Sequence, residues 1–110
     1  MTQNKSQYRS KLRAKIQNVI TTADLKQKAD AARFINYPWG RYDIQYYGGR
    51  CGYVKDETIQ GRVTVFLSGK LISTGAKSLL TSIDQLQRTH DLLCKHELIK
   101  PISLEPKFEI

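Results

Sequence analysis

The sequence predicts an α+β fold, an antiparallel sheet of about five strands with helices packed on one face. Three observations point to it. Short β-branched runs are separated by turn residues, as in VTVFL-SGK-LIST at 63–74. A single long helical pattern follows at 78–96. The elements come in the order strand, helix, three strands, helix, strand, with a connection inside the strand group too short for a parallel crossover.

Residues 1–13 are polar and basic and read as a flexible N-terminal arm, leaving 14–110 as one domain. IQNVITTA at 16–23 is β-branched and reads as the first strand. KQKADAARFI at 26–35 suits a short helix, and NYPWGRY at 36–42 a turn or irregular segment around Pro38 and Gly40. DIQYYGGRCGYV at 43–54 reads as an aromatic strand bent or bulged at Gly48-Gly49, and 55–61 as a polar hairpin loop. Strands at 62–67 and 71–74 are then joined by Ser68-Gly69-Lys70, a three-residue loop with glycine. That loop sets Phe66 opposite Ile72 and Thr64 opposite Thr74 on one face. Val65, Leu67, Leu71 and Ser73 take the other face, which must meet the helix. Ser78 is placed to cap the helix, and Leu79, Ile83, Leu86, His90 and Leu93 form its buried stripe. Pro101 ends any continuation, and ISLEPKFEI at 102–110 reads as a last strand, at an edge or with a bulge because of Pro106.

One consequence stands out. Phe66 and Ile72 fall on the sheet face that the helices do not cover, where polar side chains are the rule. Such residues await either a ligand or burial by another copy or by the basic arm.

Composition narrows what that ligand is. The 110 residues carry a formal net charge of +8, and Lys5, Arg9, Lys11, Arg13 and Lys15 all precede the first acidic residue, Asp24. This balance favours a polyanionic partner, nucleic acid or an acidic protein. Forty per cent hydrophobic residues suffice for one modest core. No apolar run is long enough for a membrane span, and the N-terminus lacks the apolar segment of a secretory signal. Two cysteines, Cys51 and Cys94, make no disulfide framework, so reduced thiols and an intracellular setting, nuclear or cytoplasmic, are expected. Cys94 and His96 alone are too few for a zinc site, and His90 on the helix stripe reads as a core histidine. No nucleophile–base pair or carboxylate pair stands out, and the glycines lack phosphate-loop spacing. The expectation is a non-enzymatic protein with no cofactor and no metal.

VFLSGKLISTGAKS resembles the core signature of the TATA-binding protein repeat, through Phe66, Ser68-Gly69-Lys70 and Thr74-Gly75-Ala76-Lys77-Ser78. IQNVI at 16–20 is similar to the family's first-strand motif, with DLK at 24–26 and YP at 37–38 as weaker echoes. PKFEI at the end resembles the strand that leads into a second repeat, so the chain reads as a single repeat, half of the usual saddle. The resemblance implies a curved sheet with helices on its convex face and an apolar concave face for the DNA minor groove. It implies that Phe66 is a wedge, Ile72 and Thr74 are concave-face contacts, and Lys70 lies on the phosphate side. Asn18 matches the central base-contacting asparagine and Ile20 the apolar residue beside it. The family's first wedge phenylalanine has no phenylalanine here; Tyr47 is its best match, with Tyr42 and Tyr46 as alternatives. Thr64 stands where an apolar contact is usual, and the 55–61 loop is longer than typical. Implied partners are duplex DNA rich in A·T, a second copy completing the saddle as a homodimer, and general transcription factors. The alternative is a protein-interaction module that engages or competes for such factors without sequence-specific DNA binding.

Deleting residues 1–13 removes Lys5, Arg9, Lys11 and Arg13. The salt dependence of binding to a DNA duplex is then expected to become shallower, by about 0.9 in logarithmic slope for each phosphate that the arm had neutralised. An unchanged slope in titrations at several salt concentrations would mean that the arm touches no phosphate.

Overall fold

Alternation along the strands sorts small and apolar residues to one side of the sheet. In the computed structural model, which describes residues 19–109, one curved, unclosed antiparallel sheet is built from six strands. These are β1 (Val19–Asp24), β2 (Gly40–Tyr42), β3 (Cys51–Val54), β4 (Arg62–Phe66), β5 (Lys70–Ala76) and β6 (Lys107–Glu109). Their spatial order is β2-β3-β4-β5-β1-β6. One long helix, α1 (Leu79–Lys95), lies against β1, β4 and β5. A 3-10 segment, Ala31–Asn36, packs on β2 and β3. The α+β class therefore holds, with one strand more than expected.

The β4–β5 hairpin is offset from the expected pairing. Thr64 pairs with Ile72, Val65 with Leu71 and Arg62 with Thr74. The loop is Leu67-Ser68-Gly69, closed by the Gly69 N–H donating to the Phe66 carbonyl at 2.9 Å. Gly69 decides this position. Its φ of +100° suits glycine, and an added Cβ would stand 2.0 Å from the Gln27 carbonyl oxygen. The pairing moves by two residues, so every strand residue keeps its face. Leu67, expected among the core residues, sits in the turn and is exposed.

The helix expected at 26–35 forms only from Ala31 onward. The backbone groups before it are taken elsewhere. The Lys26 N–H bonds the Asp24 carboxylate at 2.7 Å, and the Ala29 N–H bonds the Leu67 carbonyl at 3.1 Å. The Gln27 side chain is bonded both ways to the Lys100 backbone, at 2.8 Å each. Tertiary hydrogen bonds thus override the helical preference of lysine and alanine. The segment expected as one bent strand, 43–54, is instead a turn, a 3-10 segment at Tyr46–Gly49, and β3. Tyr47 and Gly48 lie in the left-handed region there, at φ 49° and 67°, which breaks strand pairing. Within the expected irregular stretch 36–42, Gly40–Tyr42 pairs with β3. The last strand is short, and residues 101–106 before it are irregular. Its position at the sheet edge, directly after Pro106, is where proline is tolerated.

Ser78 caps α1 as expected, its hydroxyl accepting from the Thr81 N–H at 3.1 Å. The helix is rotated relative to the expected stripe. Leu86, His90 and Leu93 are buried, but Leu79 is 43% exposed and Ile83 only partly buried. Ser82, Gln85 and Thr89 occupy the buried seats. Ser82 Oγ and Thr21 Oγ1 are hydrogen-bonded at 2.7 Å. Gln85 Nε2 donates to Ser73 Oγ at 2.8 Å, while its Oε1 accepts from the Gly61 N–H at 3.0 Å. His90 is the core histidine expected: its Nε2 accepts from the Ile102 N–H at 3.0 Å, which leaves the Nδ1 proton for Asp91 Oδ1 at 2.9 Å. The hydrogen bonds from His90 and Gln87 hold the Asp91 carboxyl below its ordinary range. The His96 ring lies against the rings of Tyr37 and Trp39, while the Cys94 thiol stands 3.6 Å from His90 Nε2.

Gln85→Leu is expected to lower stability by about 1–3 kcal/mol, because the half-buried Gly61 N–H loses its partner and the buried Ser73 hydroxyl keeps only its bond to Ser82. Urea unfolding of the variant checks this. A loss smaller than for an exposed helix substitution such as Gln87→Leu would contradict it.

Candidate functional site

Strand register separates the two faces of the sheet. Thr21, Ala23, Val63, Val65, Leu71 and Ser73 point toward α1 and are buried. The opposite face carries Thr22, Ile72, Thr64 and Tyr53 in one row across β1, β5, β4 and β3, continued by Arg41 on β2. Helix α1 and the 3-10 segment Ala31–Asn36 lie on the other face, and the 3-10 segment Tyr46–Gly49 touches the Tyr53 end of this row. Tight lateral packing still leaves Thr64 only 8% exposed.

The structure brings most of the expected residues together. Phe66 ends β4 on the open face and is half-buried. Ile72 and Thr74 follow it on β5, also half-buried, and Lys70 starts that strand, exposed. Ile20 shares the face through alternation with Thr22 on β1. Tyr47 stands beside Phe66, with ring centroids 6.0 Å apart and 68% of the tyrosine exposed. Asn18 lies outside the described residues. The tyrosine alternatives also separate. Tyr42 lies on the covered side, packed on the core, with its hydroxyl donating to the Gly49 carbonyl at 3.0 Å. Tyr46 meets the ring of Tyr53 edge-on at 4.8 Å.

Sequence reasoning passed over Tyr53, Arg62 and Arg41. The Arg62 guanidinium lies over the Tyr53 ring, 4.2 Å from its centroid. Alternation within VTVF and CGYV could have flagged both, since Arg62 and Tyr53 share parity with Phe66 once β3 is registered on β4. Cys51 is paired with Phe66 on this face and is fully buried. Burial pushes its thiol up from the ordinary value, with Arg62 acting the other way, so Cys51 is a packing residue and not a reactive thiolate. Burial likewise raises the Tyr53 phenol.

The basic side chains form a rim. A recess at the end of β5, β1 and β6 is lined by Lys26, Lys70 and Lys107 together with Asp24 and Glu105. Among the described residues, the ion pairs are Arg88–Asp84 and His90–Asp91, so Arg41, Arg62, Lys70 and Lys107 are paired with no carboxylate. No helix of the described residues is long and apolar enough to cross a membrane. No group of three or more His, Cys, Asp or Glu side chains suited to a metal occurs among them.

Comparison with known proteins agrees with this architecture. No family model matches the chain. It is 50% identical over 74 residues to the TATA-box-binding protein of Cenarchaeum symbiosum (strain A), a match that takes in 67% of this chain. The chain spans 41% of the length of that curated relative. In fold it is similar to the Methanococcus jannaschii TBP, with a TM-score of 0.69 and 17% identity over 83% of this chain and 51% of that one. The chain carries a TATA-binding-protein-like region covering one repeat, as the SGK and TGAKS motifs led one to expect.

Phe66→Ala is expected to cost about 1 kcal/mol of stability, well short of the roughly 3–5 kcal/mol for a buried phenylalanine such as Phe34. Thermal melting of Phe66→Ala beside Phe34→Ala checks the open-face placement. Equal losses would put Phe66 in the core.

Proposed function

We propose that this chain binds duplex DNA through its open sheet face, entering the minor groove at A·T-rich sequence, in transcription initiation or its regulation. The observation that carries the reading is an uncovered sheet face that bears Phe66 and Ile72. At its rim stand Lys70 and Arg62, paired with no carboxylate among the described residues. The minor groove offers few hydrogen-bond donors and a wall of sugar edges, which suits apolar and threonine side chains. Phe66 is the wedge that unstacks a base step, with Tyr47 beside it in place of a second phenylalanine. Ile20, Ile72 and Thr74 line the groove floor, Lys70 meets a phosphate, and Asn18 reads a base near the centre. The basic arm, 1–13, adds affinity without sequence preference. The similarity to a TATA-box-binding protein supports the same reading. The protein is a binding module and not an enzyme.

The homodimer belongs to this proposal. β6 covers β1 along Ile20–Thr22, so among the described residues the free edges of the sheet are β2 and β6. A second copy joined at the β6 end continues the sheet into a longer saddle. Engagement of general transcription factors is the second reading. Ile35 and Leu80 favour it, 67% and 80% exposed on the 3-10 segment and on α1.

The test is fluorescence anisotropy on A·T-rich and G·C-rich duplexes of equal length, with sedimentation of free and bound protein. Tighter, steeply salt-dependent binding to the A·T-rich duplex is expected, in a complex of two chains. Phe66→Ala should lower that affinity by about 1–3 kcal/mol, the scale of one aromatic–base stack. Equal affinity for both duplexes would remove the minor-groove reading. A strict monomer at saturation would remove the dimer.

A further inference from the structure

The β3–β4 end of the open face holds more aromatic surface than a groove wedge requires. Tyr46 meets Tyr53 edge-on, Arg62 covers one face of Tyr53, and Tyr47 stands exposed against Phe66. Arg41 lies next to Tyr53 across the β2–β3 pairing. A wedge needs one or two rings entering a base step. Here four rings stand at one end of the sheet surface in two touching pairs, with the Arg62 guanidinium over one of them. Stacking platforms flanked by cations suit unpaired bases, because each base offers a π-face while its phosphate seeks a positive charge. Inside a paired duplex those π-faces are already stacked.

We infer that this end of the sheet binds single-stranded DNA. The guanidinium of Arg62 is the central element. The Tyr53 ring lies beneath its Cζ at 4.2 Å, which leaves the solvent side for a base, and its charge remains free of any carboxylate among the described residues. A neighbouring base stacks on Tyr47, the most exposed ring of the group. Tyr46 braces Tyr53 from the side, and Arg41, whose guanidinium is held by the Pro38 and Gly40 carbonyls at 2.9 and 2.8 Å, adds positive charge beyond it. Lysine in place of Arg62 keeps the charge but has no plane to offer. The site shares Arg62 and Tyr47 with the groove face but uses none of Ile20, Ile72 and Thr74, so it does not depend on groove binding by that apolar strip.

The experiment uses fluorescein-labelled oligo(dT), an abasic strand of equal length, and an A·T-rich duplex, each titrated by anisotropy with the full chain. Saturable oligo(dT) binding is expected, with much weaker binding of the abasic strand. Arg62→Lys and Tyr53→Ala should weaken oligo(dT) binding by about tenfold or more, the scale of one base stack, with a smaller change on the duplex. Circular dichroism melting confirms that each variant is folded; should Tyr53→Ala unfold, Arg62→Lys decides alone. Absence of oligo(dT) binding, equal affinity for the abasic strand, or full retention by Arg62→Lys would each overturn the inference. Oligo(dT) binding without duplex binding would support this site and reject the groove reading, so the two fail separately.

Discussion

Gln85 joins three parts of the fold at one buried point. Its amide donates to the Ser73 hydroxyl on β5 and accepts from the Gly61 backbone before β4, while Ser82, one turn earlier, reaches Thr21 on β1. Each of these polar groups is out of water, so each costs energy unless it is partnered. Only one rotation and one height of the helix satisfy all of them together. Gly61 allows the close approach, since a Cβ there would lie 1.8 Å from the Thr74 carbonyl oxygen. The helix is thereby fixed over β1, β5 and β4.

Everything on the other side follows from that placement. With α1 and the 3-10 segment on one face, alternation sends Thr22, Thr64, Ile72 and Phe66 to the other. The Gly69 turn settles the hairpin offset, so that Ile72 faces Thr64 and not Phe66. Phe66 is left at the strand end, where Tyr47 joins it from the left-handed kink. A non-glycine residue in that conformation costs about 1–2 kcal/mol. The kink places an exposed ring on the open face, where a regular strand would have alternated Tyr46 and Tyr47 to opposite sides.

The β6 strand bears on the proposed dimer. It occupies the β1 edge over only three residue pairs, and it is preceded by an irregular run ending in Pro106. Partners arriving at this edge meet β6, so its sequence, KFE, enters the geometry of any joined saddle together with β1.

Local chemistry carried much of the fold. The two strands of the hairpin, the Ser78 cap and the open-face parity of Phe66, Ile72 and Thr74 depend on near neighbours in the chain and were legible in VTVFLSGKLISTGAKS, while the α+β class was legible in the order of elements along the whole chain. What tertiary structure decided were the choices in which distant groups compete for the same backbone or the same face. Lys26–Asp30 gave up helix because Asp24, Leu67 and Lys100 bond its backbone and side chains. Leu79 and Ile83 yielded the buried helix face because the opposing strands present hydroxyls that serine and glutamine can satisfy and leucine cannot. Tyr53 and Arg62 became a pair because β3 registers on β4, a meeting of segments whose separation in the chain hides it from periodicity. The sequence by itself determined which face of the sheet each strand residue takes, because alternation is local; the packing of helix and strands determined which residues are covered and which of them meet.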